Sequence, residues 1–83
     1  QNYPNPFNPN TKIKFAIPAG SSALTYLSVY DILSREVAVL VNEQLQPGTY
    51  EVDWDASTFP SGVYFYAITS GSFKETRKMV LLK

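Results

Sequence analysis

The sequence predicts an all-β domain, a small antiparallel immunoglobulin-like β-sandwich of about six or seven strands. Three observations lead there. Apolar residues recur with a period of two in one run after another. Turn residues punctuate the chain at intervals of about ten residues, as in sandwiches. No stretch carries a convincing helical period. The 45% hydrophobic and 14% aromatic fractions, against 17% charged residues, belong to a folded chain. At 83 residues the chain makes one small domain with a thin core, much of it supplied by aromatic rings. The cysteine pair and tryptophan spacing of true immunoglobulins are missing, so the prediction concerns architecture alone.

Residues 1–10 form a lead-in holding Pro4, Pro6 and Pro9 together with Asn2, Asn5, Asn8 and Asn10. Proline fixes φ and pushes the preceding residue towards extended conformations. The stretch is expected to run as a kinked arm without regular sheet pairing, pinned to the domain by Tyr3 and Phe7. A free linker or partner-binding arm is the other reading. The sandwich is expected over 11–83.

From Thr11 onward, Ile13, Phe15 and Ile17 alternate with Lys12, Lys14 and Ala16, giving a strand with one buried face that Pro18 ends. After the turn at 19–22, Thr25, Leu27 and Val29 alternate with Tyr26, Ser28 and Tyr30. Residues 31–34 are a short connection. The next run sets Val37, Val39 and Val41 on one face and Ala38 and Leu40 on the other. Helix and strand are both open there, and β-branched content favours strand. Pro47-Gly48 is a strong turn signal. It feeds Tyr50, Val52 and Trp54 alternating with Glu51, Asp53 and Asp55. Residues 56–62 are a turn-rich crossover, and 63–68 are apolar at every position, which suits a central strand covered on both faces. Ser70-Gly71 makes a hairpin turn into a last strand over 73–82.

Seven Lys and Arg balance seven Asp and Glu, so a basic nucleic-acid-binding domain is not expected. No His and no Cys occur. Imidazole bases, thiol nucleophiles, Cys/His zinc sites and disulfides are excluded together. No apolar run approaches the roughly 20 residues of a membrane-spanning helix, and no membrane insertion is expected. The sole Met is Met79, so the chain reads either as a mature product or as a piece of a longer protein, and the second reading is favoured. Glu51, Asp53 and Asp55 share one strand face, but carboxylates spaced along a strand diverge where calcium needs them to converge. They read as a solvated face. A serine nucleophile has no histidine to activate it, and Gly20, Gly48, Gly62 and Gly71 are spread singly through turns, unlike a phosphate loop. No catalytic residue, metal or cofactor is expected. Tyr26 with Tyr30, and Tyr64 with Tyr66, share strand faces and would suit sugar stacking if exposed. Lys74, Arg77, Lys78 and Lys83 read as solvation of an edge strand, with a binding role as the alternative.

The series Asn2-Tyr3-Pro4-Asn5-Pro6-Phe7-Asn8-Pro9 and Thr11-Lys12-Ile13-Lys14-Phe15 resembles the opening of the type A C-terminal sorting domains of the type IX secretion system. The resemblance continues through Val29-Tyr30-Asp31, Arg35-Glu36-Val37, Pro47-Gly48-Thr49-Tyr50, Trp54-Asp55-Ala56-Ser57 and Ser61-Gly62-Val63-Tyr64-Phe65-Tyr66. It ends with Thr76-Arg77-Lys78-Met79-Val80-Leu81-Leu82-Lys83. It covers essentially the whole chain, and its specificity comes from several motifs in order.

The resemblance implies a β-sandwich at the end of a larger Bacteroidetes-like secreted protein, reaching the cell surface or medium after transit through the periplasm. Its implied partners are the outer-membrane type IX translocon, a sortase-like surface protease and an upstream cargo domain. The family's signal elements carry over to Pro47 and Gly48, to Gly62 and Tyr64, and to Lys78, Met79, Val80, Leu81, Leu82 and Lys83. One departure stands out: the family has Gly before the Arg of its third strand, where this chain has Ser34. A left-handed turn there would cost a non-Gly residue about 1 kcal/mol.

Two other classes compete with the sorting reading. One is a carbohydrate-binding or adhesive module using exposed rings. The other is a structural subunit that self-associates by strand addition, although prolines at 4, 6 and 9 would interrupt a donor strand.

Overall fold

The computed structural model describes residues 2–3, 10–20 and 23–82. Its strands are β1 (Asn2–Tyr3), β2 (Asn10–Ile17), β3 (Ala23–Asp31), β4 (Glu36–Leu45), β5 (Gly48–Asp55), β6 (Gly62–Ser70) and β7 (Phe73–Leu81). They make two antiparallel sheets, one ordered β1-β2-β5 and the other β4-β3-β6-β7. This is the predicted immunoglobulin-like sandwich. Among the described residues no helix is long and apolar enough to cross a membrane.

β2 and β5 follow the period of two without a fault. Thr11, Ile13, Phe15 and Ile17 are buried while Asn10, Lys12, Lys14 and Ala16 are exposed. The two strands pair from Asn10 opposite Asp55 to Ile17 opposite Gly48. That register carries Tyr50, Val52 and Trp54 into the same core face, and Phe15 stacks on Tyr50 with ring centroids 5.6 Å apart. Buried side chains of β3, β6 and β7 meet them: Leu27 and Val29, Tyr64, Tyr66 and Ile68, Met79 and Leu81. Each such apolar side chain contributes roughly 1.5–3 kcal/mol by leaving water. Thr25 donates a 2.9 Å hydrogen bond to Ser70 Oγ inside the core. The Tyr66 hydroxyl is buried too, and loss of solvation pushes its pKa up to about 12.

Three expectations need correction. In β4, Val37, Val39 and Val41 do not share a face. The register with β3 shifts between Leu27 and Ser28 and again between Val29 and Tyr30, and each bulge inserts one residue into β4. Val37, Ala38, Leu40 and Val41 therefore all pack on the core, and Val39 points outward. In β6 only one face is covered by the opposite sheet. Tyr64, Tyr66, Ile68 and Ser70 are buried, while Val63, Phe65, Ala67 and Thr69 are half-buried on the outer face. The lead-in also pairs after all, with Asn2 opposite Ile13 and Tyr3 opposite Lys12. Two residues of ladder fit before the first proline. The expected anchoring by the Tyr3 and Phe7 rings lies outside the described residues.

The registers define two ends. Ile17, Gly48, Leu45 and Ser70 lie at one, which we call the Pro47 end. Asn10, Asp55, Asp31, Gly62 and Leu81 lie at the other, the Gly62 end. Strands of about eight residues separate the two by about 25 Å.

Candidate functional site

The described residues singled out in the sequence fall into two places. Pro47 and Gly48 sit at one end of the sandwich. Gly62, Tyr64 and the end of β7 sit at the other. Lys83 lies outside the described residues.

Both glycine-containing motifs build the same corner. Gly48 and Gly62 open β5 and β6 with φ of 150° and 155°, a region that L side chains rarely adopt. Two residues on, a tyrosine folds back over the turn. The Tyr50 hydroxyl donates to the Gln46 carbonyl at 2.6 Å, and the Tyr64 hydroxyl donates to the Pro60 carbonyl at 2.7 Å. This is the tyrosine-corner device of β-sandwiches, in which a phenol fastens the backbone a few residues upstream. The Gly-x-Tyr spacing thus explains both motifs structurally. A Cβ at Gly62 would meet nothing within 4 Å, so backbone conformation alone demands glycine there. Gly62→Ala and Gly48→Ala are each expected to cost about 1–3 kcal/mol, read as a lower urea midpoint with an unchanged m-value.

β7 is one of the two edge strands of the larger sheet, and its alternation divides the last motif. Met79 and Leu81 are fully buried, Val80 is half-buried, and Lys78 and Leu82 are exposed. Tyr64 pairs with Met79 and Gly62 with Leu81, so the second corner and the final strand form one contiguous structure. Above them Trp54 packs on Phe59 and edge-on against Tyr64, with centroids 5.5 Å and 5.4 Å apart.

The turn at 31–35 adjoins this structure, and its role was not legible as more than a connection. Asp31 organises it. One carboxylate oxygen accepts from the backbone N–H groups of Leu33 and Arg35 at 2.9 Å and 3.0 Å, and the other accepts from Arg35 Nε at 2.8 Å. Backbone bonds from Asp31 N–H to the Arg35 carbonyl and from Ser34 N–H to the Asp31 carbonyl close the loop. Ile32 and Leu33, 70% and 68% exposed, project from it. They line one part of a hollow of about 320 Å³ whose apolar lining also includes Val37, Phe59, Pro60, Val63 and Tyr64.

Ser34 has φ of 64°, the left-handed conformation expected where glycine would be at ease. Ser34→Gly is accordingly expected to stabilise the domain by about 1 kcal/mol, visible as a higher urea midpoint. The Arg35 backbone N–H, followed by its side chain and the Leu33 N–H, holds the Asp31 carboxyl below the usual carboxylate range. A depressed folded pKa gives stability that is complete above the unfolded value of about 4 and is lost as pH falls through the folded value. Thermal midpoints of the parent chain should fall more steeply below about pH 4 than those of Asp31→Asn.

The remaining candidates resolve into solvated or buried groups. Lys12 Nζ lies 2.9 Å from Asp53 and 3.9 Å from Glu51, and Asp55 accepts from the Ser57 N–H at 3.0 Å. Among the described residues no cluster of three potential metal ligands occurs. Tyr64 and Tyr66 face the core, so they offer no stacking platform. Tyr26 and Tyr30 do face outward but are half-buried, and Tyr26 donates to Glu36 Oε2 at 2.8 Å. Lys74, Arg77 and Lys78 are exposed on the edge strand, with Arg77 2.9 Å from Glu75.

A protein-family model described as a secretion system C-terminal sorting domain matches residues 1–82. None of the curated protein sequences compared with the chain matches it. Among solved structures, PorZ is similar over 100% of this chain with a TM-score of 0.69 and 21% identity. PorZ is an essential bacterial surface component of the type IX secretion system of human oral-microbiomic Porphyromonas gingivalis. The chain spans 11% of that structure's length, and at this identity the likeness bears on the fold alone.

Proposed function

The chain belongs to the secretion system C-terminal sorting domain family, and from that premise we propose that the folded Gly62 end of the sandwich is the part read during export. The domain is a sorting signal of the type IX system, and it marks its parent protein for secretion or the cell surface. In our reading it is non-catalytic. An upstream cargo is carried across the outer membrane by the translocon, and a sortase-like surface protease then removes the domain, leaving the cargo outside the cell or attached to it.

The observation supporting this reading is the whole-chain family match laid onto a sandwich whose final strand is a sheet edge. An edge strand offers backbone N–H and carbonyl groups to a partner. Within the terminal motif Lys78, Val80 and Leu82 are the side chains near Met79 and Leu81 that keep exposed surface, and we assign them to contact. Met79 and Leu81 hold the strand in the core. Gly62 with Tyr64, and Pro47 and Gly48 with Tyr50, fix the two corners. We assign no role to Lys83 beyond the terminal charge of the same motif.

The test is export itself. Residues 1–83 are fused behind a signal-peptide-bearing fluorescent reporter in a type IX-competent host. Reporter outside the cell supports the reading, and a folded fusion confined to the periplasm refutes it for that host.

A further inference from the structure

We propose that the turn at 31–35 and the hollow beside it form a knob-and-socket docking surface for a protein component of the export machinery, an inference that rests on the sorting function above. The knob is Ile32 and Leu33. Two adjacent aliphatic side chains about 70% exposed are costly to leave in water on a small domain. Their exposure is fixed, because the Asp31 carboxylate and two backbone hydrogen bonds tie the turn at every position but the tip. A rigid apolar projection gives up little entropy on binding. The socket is the 320 Å³ hollow that Ile32 and Leu33 themselves line together with Val37, Phe59, Pro60, Val63 and Tyr64, and Leu82, half exposed, lies at the same end of the sandwich.

The direction of β1 says which partner meets this surface. Asn2 lies opposite Ile13 and Tyr3 opposite Lys12, so the chain runs along β1 towards the Gly62 end. The chain therefore enters β1 from the Pro47 side. The cargo of a C-terminal sorting domain lies upstream, which leaves the Ile32–Leu33 end facing away from it. That end is free to engage machinery while the cargo is attached.

The chemistry of the site defines the fit. A partner needs an apolar recess for Ile32 and Leu33 and an aliphatic or aromatic side chain for the hollow. A carboxylate beside that side chain would meet Arg35, which lines the hollow with its side chain 71% exposed. Only Nε of that guanidinium is engaged with Asp31, and its other N–H groups suit bidentate pairing.

The test uses the reporter fusion with Ile32→Ser and Leu33→Ser together. Extracellular reporter should fall about tenfold or more, as expected on removing two central apolar contacts, while the urea midpoint and circular dichroism stay as in the parent. Ile32→Met with Leu33→Met should restore export. Leu24→Ser, which removes an equally exposed aliphatic residue near the Pro47 end, should leave export intact. Export of the double serine variant at the parental level overturns the docking surface while leaving the sorting reading standing. Failure of the parent fusion to leave the periplasm refutes the sorting reading instead. Parental chain that co-sediments with phosphatidylethanolamine–phosphatidylglycerol vesicles, when the double serine variant does not, would also overturn the proposal by assigning the knob to lipid.

Discussion

Trp54→Ala is expected to destabilise the domain by about 3–5 kcal/mol, the usual range for removing a large buried aromatic side chain. A domain of this size has about 4–12 kcal/mol of stability in total, so the loss removes a large share of it and lowers the urea midpoint. The effect exceeds that of a generic core deletion because of what Trp54 touches. Its ring meets Phe59 and Tyr64 within 5.5 Å, and Tyr64 in turn fastens Pro60. Removing the indole leaves a cavity under the corner and loosens the crossover at 56–61, which helps line the hollow beside Ile32 and Leu33. Trp54 is the only tryptophan, so its own fluorescence reports the parental urea transition and circular dichroism reports that of the variant. Trp54→Phe should recover most of the loss, since a smaller ring still fills part of the site.

The same core shows where sequence reading succeeds and where it stops. β2 and β5 were legible residue by residue because a two-sided strand with one wet face must alternate, and Lys12, Lys14, Glu51 and Asp53 mark the wet face. β4 was not, because each bulge moves the following residues to the other face, and no residue type announces a bulge. In β6 an unbroken apolar run suggested cover on both sides, yet Phe65 and Ala67 lie half-buried on the outer face. Neighbouring side chains within one sheet shield such residues without any second layer. At Ser34 the family pattern suggested a glycine and the serine put the turn geometry in question, yet the turn is left-handed with φ of 64°, which a serine does not advertise.

The candidate site divides along the same line. Pro47-Gly48 and Ser61-Gly62 read plainly as turns. Their common Gly-x-Tyr spacing carried the corner signal, but it is recognisable only once both phenols are seen to reach back four residues. Ile32 and Leu33 were passed over inside a short connection. Apolar residues at a turn tip were the available clue, because a turn gives them no core to enter.

Met79→Ala combined with Leu81→Ala is expected to remove most of the domain's stability. Both side chains are fully buried, and each deletion costs about 2–5 kcal/mol. Together they cost about 4–10 kcal/mol, which is most of the roughly 4–12 kcal/mol available to a domain of this size. Deleting residues 79–83 removes the same two side chains and part of the β6–β7 ladder from Gly62–Leu81 to Tyr64–Met79. Lost export after that truncation would therefore report lost folding and would say nothing about recognition. The informative variants lie on the other face of the strand. Lys78→Ala and Leu82→Ser touch exposed side chains and should each move stability by no more than about 0.5 kcal/mol. If either reduces export at an unchanged urea midpoint, the last strand is read by contact. If both export normally while the double core variant is unfolded and retained, the terminal motif serves by closing the sandwich, and the surface that is read lies elsewhere.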